Sequence, residues 1–436
     1  MKSIAVLVLP ALLPAAPLHA QETPPADLAA LLQEADSASP VLRAAAARLE
    51  AARLRPPQAR ALPDPEASLG YTNEGTDRFT LGEAEDARLS FAFRQELPYP
   101  GKRDAAGEVA AHAAEVAARE LERLRLEIRA GVESSFADLF RLDRSTAVLR
   151  EMRAVLDTFA QVARRRYEAG EGVQESILKA ETEILRLDTD LERALQERRA
   201  AEVRLLETLG RDGGPGIGTV TALPAPPIPA DLEELAAEAA ASSPAVAALE
   251  AAVLREEAAV RRARLDLKPD FVWSASYDHR AGLEPMLGGM IGLRLPLYRR
   301  DKQAQALLEA ESTLRAARHD LEQGRLAARA GALDLAARVR RADRLVRLIG
   351  AGVIPQAAAA LESARTSYSV GRLPFLDVLN DLRVLLEARI DLAAEEADRL
   401  QALAALEPLV GRPLVLDSGP VPDGPSREGG SDARDR

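Results

Sequence analysis

The chain contains no cysteine, and phenylalanine, tryptophan and tyrosine together make up 3 % of its 436 residues. Without cysteine there are no disulfides, no thiolate metal sites and no cysteine-borne lipid anchor. So few rings argue against a bulky globular core. Beyond residue 20, nothing approaches the ~18 uninterrupted apolar residues of a membrane helix. Histidine is scarce: His112 and His319 stand alone in helical patterns, and His279 shares the second hairpin with Met286 and Met290. No Ser/His/Asp set, phosphate loop or metal-spaced motif occurs, so no catalytic residue, cofactor or metal site is expected.

What is present is alanine and leucine with charges of both signs, the composition of long, slim helices packed side by side. The opening MKSIAVLVLPALLPAAPLHA reads as a secretory signal cut before Gln21. Losing Lys2 takes the formal net charge from −11 to −12, and the remaining basic residues are dispersed along helices. Nucleic acid is therefore not an expected partner.

The chain is written twice. Ser39-Pro40 recurs as Ser243-Pro244, Pro63-Asp64 as Pro269-Asp270, Leu97-Pro98 as Leu295-Pro296, Tyr167-x-x-Gly170 as Tyr368-x-x-Gly371, and Gly210-Arg211 as Gly411-Arg412, at offsets of 198 to 206. Each copy begins with a helix and continues into two period-two segments. Ala67, Leu69 and Tyr71, then Leu89, Phe91, Phe93 and Leu97, alternate with polar residues, and Phe271, Trp273 and Tyr277, then Ile291, Leu293 and Leu295, do so in the second copy. Nine of the fifteen aromatics lie in 66–99 and 270–298, as an interfacial girdle requires. A very long helix follows each strand pair, and at 1.5 Å per residue it reaches roughly 100 Å.

The expected division is a signal peptide (1–20), a first repeat (21–210) and a Gly/Pro connector (211–230), then a second repeat (231–411) and a polar, disordered tail (412–436). The repeats carry β-hairpins near 66–97 and 270–297 and long helical hairpins over 101–209 and 298–409. Four strands cannot close a barrel, and an open sheet edge in lipid leaves backbone groups unpaired. Other copies must seal it: two would give a filled eight-stranded barrel, three a twelve-stranded one with a lumen. In RQELPYPGKRDA, Pro98 and Pro100 remove ladder donors and Gly101 frees the turn, with Pro296 in the second copy. These residues mark the corner between lipid-facing strand and water-immersed helix, and Lys102 and Arg103 are expected at headgroup level.

With LPYPGKRDA, YEAGEGVQESILKAE (167–181) and YSVGRLPFLDVLNDLRVLLEARIDL (368–392), the chain resembles the TolC family of outer-membrane efflux proteins from about 27 to 412. RQELPYPGKR looks more like the branch serving heavy-metal and other cation pumps of the resistance-nodulation-division (RND) type. The resemblance implies a mainly α fold with transmembrane β. In it, a homotrimeric twelve-stranded barrel in the outer membrane, four strands per chain, continues into an α-helical periplasmic tunnel. It also implies an exit duct without chemistry of its own, whose partners are outer-membrane lipid, a periplasmic adaptor and an inner-membrane RND-type transporter. Matched on the Tyr-x-x-Gly frame, Asp377 takes an acidic constriction position, Asn380 stands at the next such position, and Asp381 lies beside it. Gly170 and Gly371, with Tyr167 and Tyr368, would form the tip where an adaptor docks. Pro355, with Gly350 and Gly352, would mark the level of an equatorial belt. The rival readings are a periplasmic adaptor, which has a single hairpin among soluble β-domains, and a structural coiled coil, which leaves the corners and period-two segments unexplained.

Overall fold

The computed structural model describes residues 25–81, 83–213, 215–226 and 231–415; the expected signal peptide and nearly all of the expected tail lie outside these. In the first repeat, α1 (Leu28–Ala38), α2 (Pro40–Arg53) and α3 (Arg55–Arg60) lead into β1 (Glu66–Thr72) and β2 (Arg88–Leu97), followed by α4 (Lys102–Glu168) and α5 (Gln174–Leu209). The second runs α6 (Leu232–Ser242), α7 (Pro244–Leu265), β3 (Asp270–His279), β4 (Met286–Arg294), α8 (Gln303–Leu348), a π-turn (Ile349–Val353), α9 (Ile354–Ser369) and α10 (Phe375–Val410). Two proline-led breaks set the short helices apart: Pro40 and Pro244 each open a helix after a serine, and the Ser243 hydroxyl accepts from the Val246 amide at 3.1 Å.

The strands form one antiparallel sheet in the order β1-β2-β3-β4, so the two hairpins pair through β2 and β3. The register puts the apolar alternates on one face, with Leu69 opposite Phe91, Phe91 opposite Tyr277 and Tyr277 opposite Leu287. Phe93 and Trp273 meet with ring centres 5.4 Å apart on that face, while Leu287 and Ile291 are 85 % and 86 % exposed. The opposite face carries Glu66, Ser68, Arg94, Ser274 and Ser276. Met286 and Met290 pair with Asp278 and Ser274 on this polar face, whereas His279 pairs with Leu89 on the apolar one; the three do not converge. The outer edges of β1 and β4 have no strand partner among the described residues.

Below the sheet the helices pack lengthwise. α1 to α3 run along one part of α4 and α5 along the rest, while α7 and α10 each lie against both α4 and α8. Residues from both repeats build the larger core, among them Leu31, Phe136, Leu139, Leu205, Val339 and Leu403. A second core around Leu156, Phe159, Tyr368, Phe375 and Leu382 lies at the far end. Two helical stretches, within Glu233–Leu265 and Gln303–Ser369, are apolar enough on average to cross a membrane by length and composition, although neither was expected to. Alanine gives them that average without an unbroken apolar run, and the window in the second is mostly exposed.

Three expectations need correction. The second long helix starts at Gln303, not at 298: Arg299 stands where the first corner has Gly101, whose φ of 91° closes that turn at once. Lys102 does not extend freely from the corner; its ammonium is largely buried, 2.8 Å from Asp270 and 2.9 Å from the Lys268 carbonyl. Residues 412–415 are ordered, because Val415 is buried in the core and its amide donates to Glu407 at 2.9 Å.

Candidate functional site

The helical end remote from the sheet is built from two near-identical turns. At each, a left-handed glycine closes the preceding helix: the φ is 76° at Gly170 and 74° at Gly371. The Gly170 amide donates to the Tyr167 carbonyl at 3.0 Å and the Glu171 amide to Arg166 at 2.9 Å; Gly371 donates to Tyr368 and Arg372 to Ser367 at the same distances. This pattern satisfies the last carbonyls of each helix and needs a residue without Cβ.

The two tyrosines diverge. Tyr167 is 47 % exposed, whereas Tyr368 is 6 % exposed and packs with Phe159 and Phe375 at 6.2 and 5.8 Å between ring centres. Arg166, from the first repeat, donates to the Tyr368 carbonyl at 2.9 Å, and its guanidinium lies 5.4 Å from the centre of that ring. One hairpin thus braces the turn of the other. Exposed Val173, Val370 and Leu376 complete the surface of the tip.

Asp377 lies in the first turn of α10, half-buried, with its amide 3.3 Å from the Pro374 carbonyl. Asn380 is exposed and Asp381 half-buried, one turn on and on the same side. Val378, Leu379 and Leu382 face the core instead. No ion pair reaches Asp377 or Asp381 among the described residues, so their charges are directed to solvent. Further along, Arg383 holds Glu183 of α5 with two hydrogen bonds, at 2.9 and 2.5 Å, and this contact keeps the Glu183 carboxyl below its ordinary range. Arg153 pairs with Asp188 at 2.5 Å and Arg389 with Glu151 at 2.7 Å. Asp377 and Asp381 have no ion pair among the described residues, whereas Glu175 at the same end pairs with Lys179 at 2.6 Å and Glu183, Asp188 and Glu151 above them pair with arginines.

At the other end, Pro98 and Pro100 follow β2, Gly101 turns the chain and Pro296 follows β4. Asp270, at the start of β3, accepts from the Tyr99 amide at 2.8 Å as well as from Lys102, which ties the first corner to the second repeat. Sequence reading missed Arg166, Lys102 and the Arg383–Glu183 link because each joins residues far apart in the chain. It missed Glu133 too, although a glutamate set three and four residues before Phe136 and Ala137 on an amphipathic helix already signals a buried acid.

A sheet with an apolar outer face and free edges, carried on helices too long for a globular domain, defines a membrane channel rather than an enzyme. The chain belongs to the outer membrane efflux protein family, whose model matches residues 31–211 and 235–412. It is therefore an outer-membrane channel that extends into the periplasm. It is 27 % identical over 393 residues to the cobalt-zinc-cadmium resistance protein CzcC of Cupriavidus metallidurans, covering 89 % of this chain and 90 % of that one. Among solved structures, the outer membrane protein VceC of Vibrio cholerae superposes with a TM-score of 0.74 at 20 % identity, over 89 % of this chain and 96 % of VceC. The open state of the MtrE outer membrane channel of Neisseria gonorrhoeae gives 0.75 at 18 %, over 90 % and 91 %.

Proposed function

We propose that the protein is the passive exit duct of a tripartite efflux system that carries metal cations. The observation that carries the duct reading is the four-stranded sheet, exposed on its apolar face and open at both edges, above a helical body of roughly 100 Å. Unpaired edges in lipid cost several kcal/mol per backbone group, so the sheet closes only with further copies. Three copies give twelve strands and a lumen lined by the polar face, and they also cover the exposed apolar stretch within Gln303–Ser369.

The likeness to a cobalt-zinc-cadmium resistance protein supports divalent metal cations as cargo. So does the charge at the tip: three copies of Asp377, with Asp381 beside it and Asn380 between, set like charges around one axis and favour cations. The turns at Gly170 and Gly371, with Tyr167 on the surface and Tyr368 beneath it, serve as the dock for a periplasmic adaptor that links the duct to an inner-membrane RND-type transporter. The expected domain division into two repeats on either side of the 211–230 connector gives each protomer two such turns.

The test is the protein-only mass of the full mature chain extracted in detergent, followed by conductance in planar bilayers. Three chains per particle and a cation-selective current are expected; a water-soluble monomer would remove the duct. Asp377→Ala should weaken the cation preference, and unchanged selectivity takes Asp377 out of the constriction. Metal-salt resistance restored to a host that lacks only the duct and keeps its adaptor and pump supports metal cargo, whereas relief confined to organic compounds overturns it.

A further inference from the structure

Midway down the helical body, two carboxyl groups meet in the buried core. Glu133 of α4 and Glu407 of α10 are both 0 % exposed. They sit among Phe136, Leu406 and Val415, where an isolated ionised carboxylate is costly. One Glu407 oxygen is used: it accepts from the Leu414 amide at 2.7 Å and the Val415 amide at 2.9 Å, and so folds the chain after α10 back onto the core. The other Glu407 oxygen and both Glu133 oxygens receive no hydrogen bond from a described donor. Two facing carboxyl groups with unused oxygens in one buried site call for a hydrogen between them.

We propose that Glu133 and Glu407 share one proton, and that this proton is a lock joining the first repeat to the second at mid-height. The shared proton turns two repelling carboxylates into a donor and an acceptor, and joins one Glu133 oxygen to the free Glu407 oxygen. A metal ion does not fit in its place, since no group of three or more ligating side chains occurs among the described residues and Arg129 brings a positive charge to the site.

Burial, and then the neighbouring Glu407 charge, push the Glu133 carboxyl up to about 8, and burial raises Glu407 as well. Charges on the surrounding helices pair among themselves: Asp36 of α1 with Arg129 at 2.9 Å, Glu34 of α1 with Arg211 at 2.5 Å, Glu238 of α6 with Arg412 at 3.1 Å, and Asp334 of α8 with Arg338 at 2.9 Å. Arg125 lies 4.0 Å from Asp36. Of all these groups, only Arg129 acts on the carboxyl pair. Because the folded value lies above the ordinary 4.5, the folded chain holds a proton that the unfolded chain has lost. The stabilisation is complete below 4.5 and disappears as pH rises through about 8. Deprotonation leaves two buried negative charges on α4 and α10, and the cheapest relief is for the end of α10, with residues 412–415, to leave the core.

The full-length protein in detergent tests this, followed by thermal unfolding and by the infrared carbonyl band of a protonated carboxylic acid, from about pH 6 to about pH 9.5. In the wild type the unfolding midpoint should fall, and the acid band vanish, across about pH 8. Glu133→Gln keeps a donor toward Glu407 but cannot titrate. It should flatten the fall, remove the band at neutral pH and exceed the wild type on the alkaline side. Should Glu133→Gln fail to fold, the wild-type band and the exchange of the Leu414 and Val415 amides still decide: exchange should accelerate above the band's midpoint by more than base catalysis provides. A wild type with no acid band at neutral pH, or with a midpoint and band unchanged across the range, overturns the lock.

Discussion

Removing Arg383 probes the bond between the two repeats near the tip. Arg383 meets Glu183 through two hydrogen bonds, at 2.9 and 2.5 Å, across 200 residues of sequence. The Glu183 side chain is 11 % exposed and that of Arg383 38 %. Breaking a fully buried pair by removing one partner costs ~3–5 kcal/mol, because the survivor's charge is left without compensation. Here the arginine is partly in solvent and Arg186 stays 3.4 Å from Glu183, so screening reduces the loss. We expect ~1–2 kcal/mol for Arg383→Ala. The assay is a double-mutant cycle of Arg383→Ala and Glu183→Gln, read by denaturant unfolding in detergent; the double variant should recover ~1 kcal/mol relative to the sum. Strict additivity within ~0.3 kcal/mol refutes the link. The sign with pH is fixed as well. Arg383 first, through its hydrogen bonds, holds the Glu183 carboxyl below its ordinary value, so the pair stabilises at neutral pH and that stabilisation is lost as acid reaches the lowered value. Arg383→Ala should be less sensitive to acid than the wild type.

Two further substitutions test the packing. Phe375→Ala empties the site between Phe159 and Tyr368, and should cost ~3–5 kcal/mol with new protease cleavage confined to the tip; a stability within ~1 kcal/mol of wild type means that the ring cluster does not organise the turn. Gly411→Ala puts a Cβ on a residue with φ 80° and 3.1 Å from Pro244. It should lower stability by ~1–2 kcal/mol, read as a drop in the unfolding midpoint, and an unchanged midpoint removes the strain argument.

Period-two alternation was enough to assign the faces of the sheet: Leu69, Phe91, Tyr277 and Ile291 fall on one side because a pleated strand allows no other arrangement. The corner at Pro98 and Gly101 was legible for a similar reason, since proline and glycine act through local backbone geometry. What the sequence hid depends on pairings over long separations. Lys102 reads as a surface residue until β2 is known to pair with β3, which brings Asp270 to it. Tyr167 and Tyr368 occupy equivalent places in the repeat, yet only the second has Phe159 and Phe375 at hand to bury it. The late start of α8 reflects one replacement, Arg299 where the first repeat has Gly101. Glu407 fell within the expected second repeat, but the orphan amides it serves lie beyond Gly411, in residues read as tail.

The two long helices differ mechanically. α4 runs 67 residues from the corner to the tip as an uninterrupted α-helix. Its counterpart is interrupted at Ile349–Val353, where the Ile354 amide reaches back five residues to the Ile349 carbonyl, Gly350 and Gly352 supply no side chain, and Pro355 withholds a donor one residue later. Duplication thus produced one rigid strut and one jointed strut of similar length, bridged by α7 and α10. A torque at the tip would bend the second and leave the first straight.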